Sequence, residues 1–332
     1  MKIVVVGSGS WGTALAQVLK DNKHDCIIYG NNLDEVVDIH LYKRNSKYFP
    51  DAVLHPELDA TNDVNVLADA DVVVLSVPTF AVASVCEQIN ELAQKKVIVV
   101  NTAKGFHPET YERMSEVITR CISSDKLEGV VSLLGPSHAE EVVLRMFTAI
   151  NAVSDNMDAA KKVQNLFAND YFRVYSSSDV IGCELAVAIK NIIALGSGIA
   201  SGLGLGDNSR AALLTRGLAE MIRFGVANGG SIATFSGLCG IGDLVVTCTS
   251  RHSRNFQAGF EIGEANSATY FWENSTKTVE GVKACQIVHE KAKQKNIEMP
   301  ITAEIYKILY ENGIPSECVG RLMTRELKEE SI

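Results

Sequence analysis

A chain of 332 residues, 46% hydrophobic and 21% charged, can bury the cores of two ordinary domains, and its composition excludes a disordered protein. The formal net charge of −9 argues against nucleic acid or an anionic membrane surface as the main partner, so a phosphorylated ligand has to find a local basic cluster. Eight scattered cysteines without a C-x-x-C pair read as free thiols of a reducing compartment, which points to the cytoplasm.

The first apolar run, 3–6, is too short for a signal-peptide core, and no apolar run approaches the roughly 20 residues that cross a bilayer. Stable membrane insertion is not expected. The run feeds directly into Gly7-Ser8-Gly9-Ser10-Trp11-Gly12, a G-x-G-x-x-G turn ahead of a small-residue helix over 10–20. Gly7 suits the tight turn, Gly9 lets the backbone approach a pyrophosphate, and Gly12 allows close helix–strand packing. The helix start presents N–H groups and its positive dipole end to an anion. This spacing predicts a bound dinucleotide; the plain alternative is a tight β–α turn without a ligand.

Further apolar, β-branched runs fall at 26–29, 71–77, 96–101 and 130–134, with weaker ones at 148–152 and 172–174. Helix-like segments at 79–94, 108–120, 137–144 and 157–168 separate most of them. Strands apolar on both faces and joined by helices predict an α/β fold, a Rossmann-like doubly wound parallel sheet with its ligand at the carboxyl ends of the strands. Beyond Ser176-Ser177-Ser178-Asp179, read as a hinge and helix N-cap, segments rich in Ala, Gly, Leu and Ile at 182–203, 208–228, 231–239, 279–296 and 302–312 predict a mostly helical domain. The expected division is a dinucleotide-binding domain over 1–178 and a helical substrate domain over 179–332.

Four polar clusters can carry chemistry. In Asn101-Thr102-Ala103-Lys104-Gly105, directly after a strand, Lys104 falls in the ligand crevice; a solvated loop lysine is the alternative. In Gly135-Pro136-Ser137-His138-Ala139-Glu140-Glu141, Ser137 and Glu140 have the spacing of a capping box, and the exposed N–H groups can touch a nucleotide. Lys190-Asn191 interrupts a helix that is otherwise apolar nearly all round. A buried ammonium is costly unless paired or deprotonated, and desolvation favours the neutral amine that a general base needs; snorkelling to water is the alternative. The fourth cluster runs from Gly240-Ile241-Gly242-Asp243 to Arg254-Asn255. Asp243 and Thr247 lie one helical turn apart, and an Arg-Asn pair suits a phosphate. A charged surface segment is the other reading.

These stretches, in this order, resemble the bacterial-type NAD(P)-dependent glycerol-3-phosphate dehydrogenases. The resemblance runs from Gly7 through Ala16 to Glu298-Met299-Pro300-Ile301-Thr302, by way of Thr102-Ala103-Lys104-Gly105, Gly135-Pro136-Ser137, Lys190-Asn191, Gly242-Asp243-Leu244, Ser253-Arg254-Asn255 and Val279-Glu280-Gly281. It implies a Rossmann-like domain followed by a helical one, as in the 6-phosphogluconate-dehydrogenase-like fold, with NAD or NADP as cofactor and no metal. The implied reaction is reversible hydride transfer between sn-glycerol 3-phosphate and dihydroxyacetone phosphate, supplying phospholipid synthesis. Lys190 is then the proton acceptor, Lys104 holds substrate and touches cofactor, and Asn191, Asp243 and Thr247 orient the alcohol or the base. Arg254 and Asn255 hold the phosphate with Ser253 beside them, and Gly135 and Ser137 edge the substrate. Gly7, Gly9, Ser10, Trp11, Gly12, Asn31, Lys104, Ala139, Arg254, Thr278 and Glu280 line the cofactor. His138 and Glu140 depart from the family's usual Phe and Lys.

A homodimer through the helical domain is expected. Two rival readings are a nucleotide-sugar dehydrogenase using Cys239 in Gly237-Leu238-Cys239-Gly240, and a nicotinamide-nucleotide sensor without turnover. The second strand ends in Gly30-Asn31-Asn32, which offers neither the acid that favours NAD nor the arginine that favours NADP. Turnover with either nicotinamide is therefore expected; a kcat/KM preference above about 100-fold, roughly 2.7 kcal/mol, contradicts this.

Overall fold

In the computed structural model, which describes residues 1–251, 253–275, 279–327 and 329–330, the chain divides into two compact units, Met1–Val180 and Ile181–Ile332. The first alternates strands and helices: β1 (Lys2–Val6), α1 (Ser10–Asp21), β2 (Asp25–Tyr29), α2 (Leu33–Tyr42), β3 (Ala60–Thr61), β4 (Val72–Leu75), α3 (Val82–Leu92), β5 (Val97–Asn101), α4 (Met114–Cys121), β6 (Leu127–Leu134), α5 (Ala139–Val142), β7 (Thr148–Val153), α6 (Met157–Phe167) and β8 (Phe172–Ser177). They form one sheet of order β3-β2-β1-β4-β5-β6-β7-β8. Successive strand residues point to opposite faces. Accordingly Ile3, Val5, Val72 and Val74 join the core beside α1, while Val4, Val6, Val73 and Leu75 join that beside α3 and α4. The order reverses between β1 and β4, which opens a crevice beyond the glycine turn.

The sheet is not wholly parallel as expected: β6 and β7 pair antiparallel, with Leu133 opposite Ala152. The link 135–147 carries only the four-residue α5, too little helix for a crossover back to the other end of the sheet, so the chain reverses. The expected helix over 108–120 begins only at Met114, behind a loop in which Tyr111 has φ +61°. Ser176 and Ser177, expected in a hinge, pair as strand residues with Ala152 and Val153. Helix α2 went unforeseen because its apolar residues are divided: Val36 and Ile39 are buried together with Glu35, while Leu33, Val37 and Leu41 are exposed. All eight cysteines are free thiols.

The second unit holds α7 (Val180–Gly202), α8 (Asp207–Ala227), α9 (Ile232–Phe235), α10 (Asp243–Thr249), α11 (Arg254–Ala265), α12 (Thr269–Asn274), α13 (Glu280–Gln294), α14 (Pro300–Tyr310) and α15 (Pro315–Met323). The expected helix over 231–239 is shorter than that, ending at Phe235, and a wide turn over Leu238–Gly242 with non-helical Gly240 (φ −90°, ψ −105°) separates α9 from α10. The expectation of no membrane-length apolar run also fails. Val180–Gly202 and Ile232–Thr249 are long and apolar enough by composition, with mean hydropathies of 1.6 and 1.5. The first is almost wholly buried inside the protein, as a core helix is. The second is interrupted at Gly240 and less than half buried.

Helices α7 and α11 run in step with backbones nearly touching. A Cβ on Gly198 would lie 2.1 Å from the Phe256 carbonyl oxygen, and one on Gly259 2.1 Å from that of Leu195. The same holds one turn on, for Gly202 against Phe260 and Gly263 against Ile199, each at 2.3 Å. Any side chain on this seam would force the helices apart.

Glu220 of α8, 2% exposed, caps α14: it accepts from the Ile301 and Thr302 N–H groups and from the Thr302 hydroxyl. These bonds favour its charge, but burial outweighs them and raises its pKa to about 7. A carboxyl whose pKa is higher folded than unfolded loses stability as pH rises from the unfolded value near 4.5 through about 7. In Glu220→Gln that slope disappears. Urea denaturation between about pH 4.5 and 8 therefore shows the wild-type advantage shrinking as pH rises.

Candidate active site

The amine of Lys190 decides the chemistry of the second unit. It lies midway along α7 at 4% exposure, donating to Asp243 Oδ1 at 2.7 Å and to Thr247 Oγ1 at 2.6 Å. Asp243 (1% exposed) opens α10, and Thr247 follows one turn later on the same face, as the spacing predicts. The Thr247 hydroxyl gives its own proton to the Asp243 carbonyl oxygen at 2.6 Å, leaving oxygen lone pairs toward the lysine. Burial penalises the ammonium and the carboxylate at 2.7 Å compensates it. Lys190 does not snorkel. Cys248, beside this pair on α10, has its thiol pushed up to about 12 by burial and is no nucleophile. Cys239 is buried in the wide turn before Asp243.

One residue along α7, Asn191 accepts from Asn255 Nδ2 at 3.0 Å, and Asn255 Oδ1 accepts from the Gly281 N–H at 2.9 Å. A Cβ on Gly281 would lie 2.5 Å from the Asn191 carbonyl oxygen, so the Val279-Glu280-Gly281 segment can reach α7 only with glycine there. The Arg254-Asn255 pair divides. Asn255 turns into the protein while Arg254, the first residue of α11, is exposed. Ser253 caps α11 through the Phe256 N–H. Glu280 is half-buried at the first position of α13, and Thr278 lies outside the described residues.

In the first unit the glycine turn has the shape its spacing predicts. Gly7 adopts φ +114°, and a Cβ there would lie 2.3 Å from the Ser76 carbonyl oxygen; one on Gly12 would lie 2.0 Å from that of Gly7. Gly9 meets no protein atom within 4 Å of its missing Cβ, and it caps α1 without a side-chain hydrogen bond. Protein packing thus explains Gly7 and Gly12, whereas Gly9 leaves a bare approach to an uncapped helix start, which fits a pyrophosphate. Ser10 and Trp11 open that helix, with Trp11 packed on the core. Lys104 Nζ and Ser137 Oγ both donate to the Gly135 carbonyl oxygen, at 2.9 and 3.1 Å. Ser137 therefore does not form the expected capping box. The N-cap of α5 is His138, and Ala139 begins the helix.

At the end of β2, Asn31 is exposed and Asn32 caps α2 through the Asp34 and Glu35 N–H groups. An acid that sequence reading missed stands one turn on. Glu35 accepts from the Ser8 hydroxyl at 2.5 Å and from Lys47 Nζ at 2.7 Å. Its carboxylate braces the glycine turn. The signal in the sequence was a pair of acids, Asp34 and Glu35, in the first turn of the helix that follows β2.

Asp243→Asn leaves a buried ammonium without its counter-charge. Unfolding free energy at pH 7 is expected to fall by about 3–5 kcal/mol in urea, and Lys190→Met in that background to recover much of it.

Comparison with known proteins follows the same division. A family model described as NAD-dependent glycerol-3-phosphate dehydrogenase N-terminus matches residues 2–160, and its C-terminus counterpart matches residues 179–320. A protein of Listeria monocytogenes serotype 4b named glycerol-3-phosphate dehydrogenase [NAD(P)+] is 49% identical over 331 residues, covering 99% of this chain and 98% of its own. One of the same name from Enterococcus faecalis is 46% identical, with coverages of 99% and 97%. The crystal structure of glycerol-3-phosphate dehydrogenase from Coxiella burnetii matches with a TM-score of 0.90 at 34% identity, covering 98% of this chain and 99% of that one. A ketopantoate reductase from Ralstonia eutropha, at TM-score 0.61 and 14% identity, shares the fold.

Proposed function

Because the chain belongs to the NAD-dependent glycerol-3-phosphate dehydrogenase family, we propose that it interconverts sn-glycerol 3-phosphate and dihydroxyacetone phosphate, with Lys190 moving the proton at the C2 oxygen. The observation that carries this is the enclosed amine, held by Asp243 Oδ1 and Thr247 Oγ1. The cofactor is NAD or NADP, held at Gly7, Gly9, Gly12 and the start of α1. When bound, the nicotinamide gives or takes the hydride at C2.

The proton belongs to the protein. In reduction, the Lys190 ammonium polarises the ketone and hands a proton to the oxygen that becomes the alcohol. In oxidation the neutral amine takes that proton back. Asp243 fixes the amine in place and stabilises its charged form, while Thr247 narrows its direction. Apolar neighbours on α7 keep water from competing for the proton.

Lys104, with Ser137 on the same carbonyl in the first unit, and the exposed Arg254, with Ser253 before it in the second, are each proposed to meet phosphate or cofactor. They answer the need for local positive charge in a chain of net charge −9. We further propose a cytoplasmic homodimer supplying glycerol 3-phosphate for phospholipid synthesis. The nucleotide-sugar reading requires an accessible Cys239 nucleophile, and that thiol is buried.

Dihydroxyacetone phosphate mixed with reduced NAD or NADP, followed by nicotinamide absorbance, tests the reading. Turnover is expected, falling by about 10²–10⁴-fold in Lys190→Ala, with Cys239→Ala retaining activity. Loss of activity in Cys239→Ala with Lys190→Ala unaffected points to the cysteine enzyme, and a wild type that oxidises neither cofactor points to the sensor.

A further inference from the structure

The loop that follows α2 folds back onto the glycine turn and brings an ammonium with it. Asn45, 1% exposed, donates through its amide to the Ser8 carbonyl oxygen and to the Thr13 hydroxyl, each at 2.8 Å. The Tyr48 and Phe49 N–H groups both return to the Asn45 carbonyl oxygen, so Ser46, Lys47 and Tyr48 form the outer edge of a tight loop rooted on the glycine turn. A second tie runs through Glu35. One of its carboxylate oxygens accepts from the Ser8 hydroxyl at 2.5 Å, and the other accepts from Lys47 Nζ at 2.7 Å and from the Tyr48 hydroxyl at 3.3 Å. Lys47 is therefore held two hydrogen bonds away from the residue between Gly7 and Gly9. Its side chain stays 58% exposed, against 8% for Glu35. An ammonium carries three donors, and Glu35 leaves others over for a ligand. The bond to Glu35 raises the pKa of Lys47 and keeps the amine charged.

We propose that Lys47 receives the adenosine 2′-phosphate of NADP, supplying from the loop after α2 the cation that the end of β2 lacks. In a dinucleotide-binding fold the ribose lies beside the glycine turn, against the end of the second strand. That end offers Gly30, Asn31 and Asn32. A Cβ on Gly30 would lie 2.7 Å from Ser8 Oγ, and Asn32 spends its side-chain oxygen on the Asp34 and Glu35 N–H groups. Glu35 cannot take the ribose hydroxyls as an NAD-selecting acid does, because both of its oxygens are already engaged inside the protein. Asp34 is exposed, but it projects about 100° around α2 from Glu35, away from the face that meets the turn. Glu35 is thus a counter-ion that fixes the ammonium, and Lys47 is the group that reads the ribose. Since Glu35 offsets part of that charge, the preference for NADPH is modest and NADH remains usable. The proposal rests on the cofactor lying at Gly7, Gly9 and Gly12.

Wild type, Lys47→Met, Lys47→Arg, Glu35→Gln and the Lys47→Met, Glu35→Gln double variant test it. Each is measured by kcat/KM for NADPH and for NADH with dihydroxyacetone phosphate, and by Kd for both reduced cofactors from nicotinamide fluorescence. In Lys47→Met the NADPH-to-NADH ratio is expected to fall by about 10- to 100-fold, the loss of one charge-assisted hydrogen bond, with the change confined mainly to NADPH. Lys47→Arg keeps the cation and its carboxylate partner, and retains most of the ratio. The fall recurs when Lys47→Met is made in Glu35→Gln, because the phosphate meets the ammonium directly. An unchanged ratio in Lys47→Met overturns the proposal. So does a fall that vanishes in the Glu35→Gln background, since Lys47 then only masks the charge of Glu35. Equal losses with both cofactors overturn it as well, because Lys47 then merely braces the turn. Arg44→Ala, which removes the other exposed cation of the loop, is expected to leave the ratio unchanged; a fall there and none in Lys47→Met assigns the phosphate to Arg44 instead. If the wild type binds both reduced cofactors without turnover, the proposed activity fails while the Kd ratio still decides the role of Lys47. Binding of neither cofactor overturns both.

Discussion

An amine enclosed by an aliphatic helix persists only where a carboxylate comes to meet it, and that requirement shapes the second unit around Lys190. The carboxylate has to arrive at hydrogen-bond distance with its oxygen aimed inward. A continuous helix from Ile232 onward would not satisfy this. The chain instead breaks at Gly240, whose dihedrals are not helical, and restarts with Asp243 at the head of α10. The restart also places Thr247 one turn below, so a single change of direction delivers both partners of the amine. The same enclosure that makes the pair costly to assemble keeps water from the proton it carries.

A second constraint works by absence. Gly198, Gly202, Gly259 and Gly263 remove the side chains that would hold α7 and α11 at ordinary helix spacing. The closeness brings Asn191 and Asn255 within a hydrogen bond, and Gly281 repeats the device where the start of α13 meets α7. A lysine, two amides and a backbone N–H are in this way fixed by four separate segments. Flexible side chains are thereby turned into a preorganised set of donors and acceptors.

The first unit solves a different problem. A glycine turn bare enough for a pyrophosphate has little of its own to hold it, and the support comes from beneath. Ser8 is held by Glu35, and Asn45 donates to the Ser8 carbonyl oxygen and the Thr13 hydroxyl. Glu35 in turn is steadied by Lys47. Its charge is spent inside the protein, so the end of β2 still presents amides, Asn31 and Asn32, where an acid or an arginine would select the cofactor. Exposed Leu33, Val37 and Leu41 accompany this buried acid on the same helix, whose inner face also carries Val36 and Ile39, so apolar side chains lie on both faces.

What the amino-acid order alone determined was local and periodic. The run 3–6 followed by three spaced glycines determined the first strand, its turn and the class of ligand. The alternation of apolar strands and helices determined the sheet, and the four-residue separation of Asp243 from Thr247 determined that they share a face. Segments in which periodicity and contact disagree needed the folded chain: α2 with its acid turned inward, the reversal at β6 and β7 behind a helix too short to cross over, and the break at Gly240 inside an apolar stretch. The partners of Lys190 and the polarity of Asn191 were likewise decided in three dimensions. They depend on contacts across 53 to 64 residues of chain, and burial energies and donor–acceptor directions are set by what lies across a contact, which no local pattern encodes.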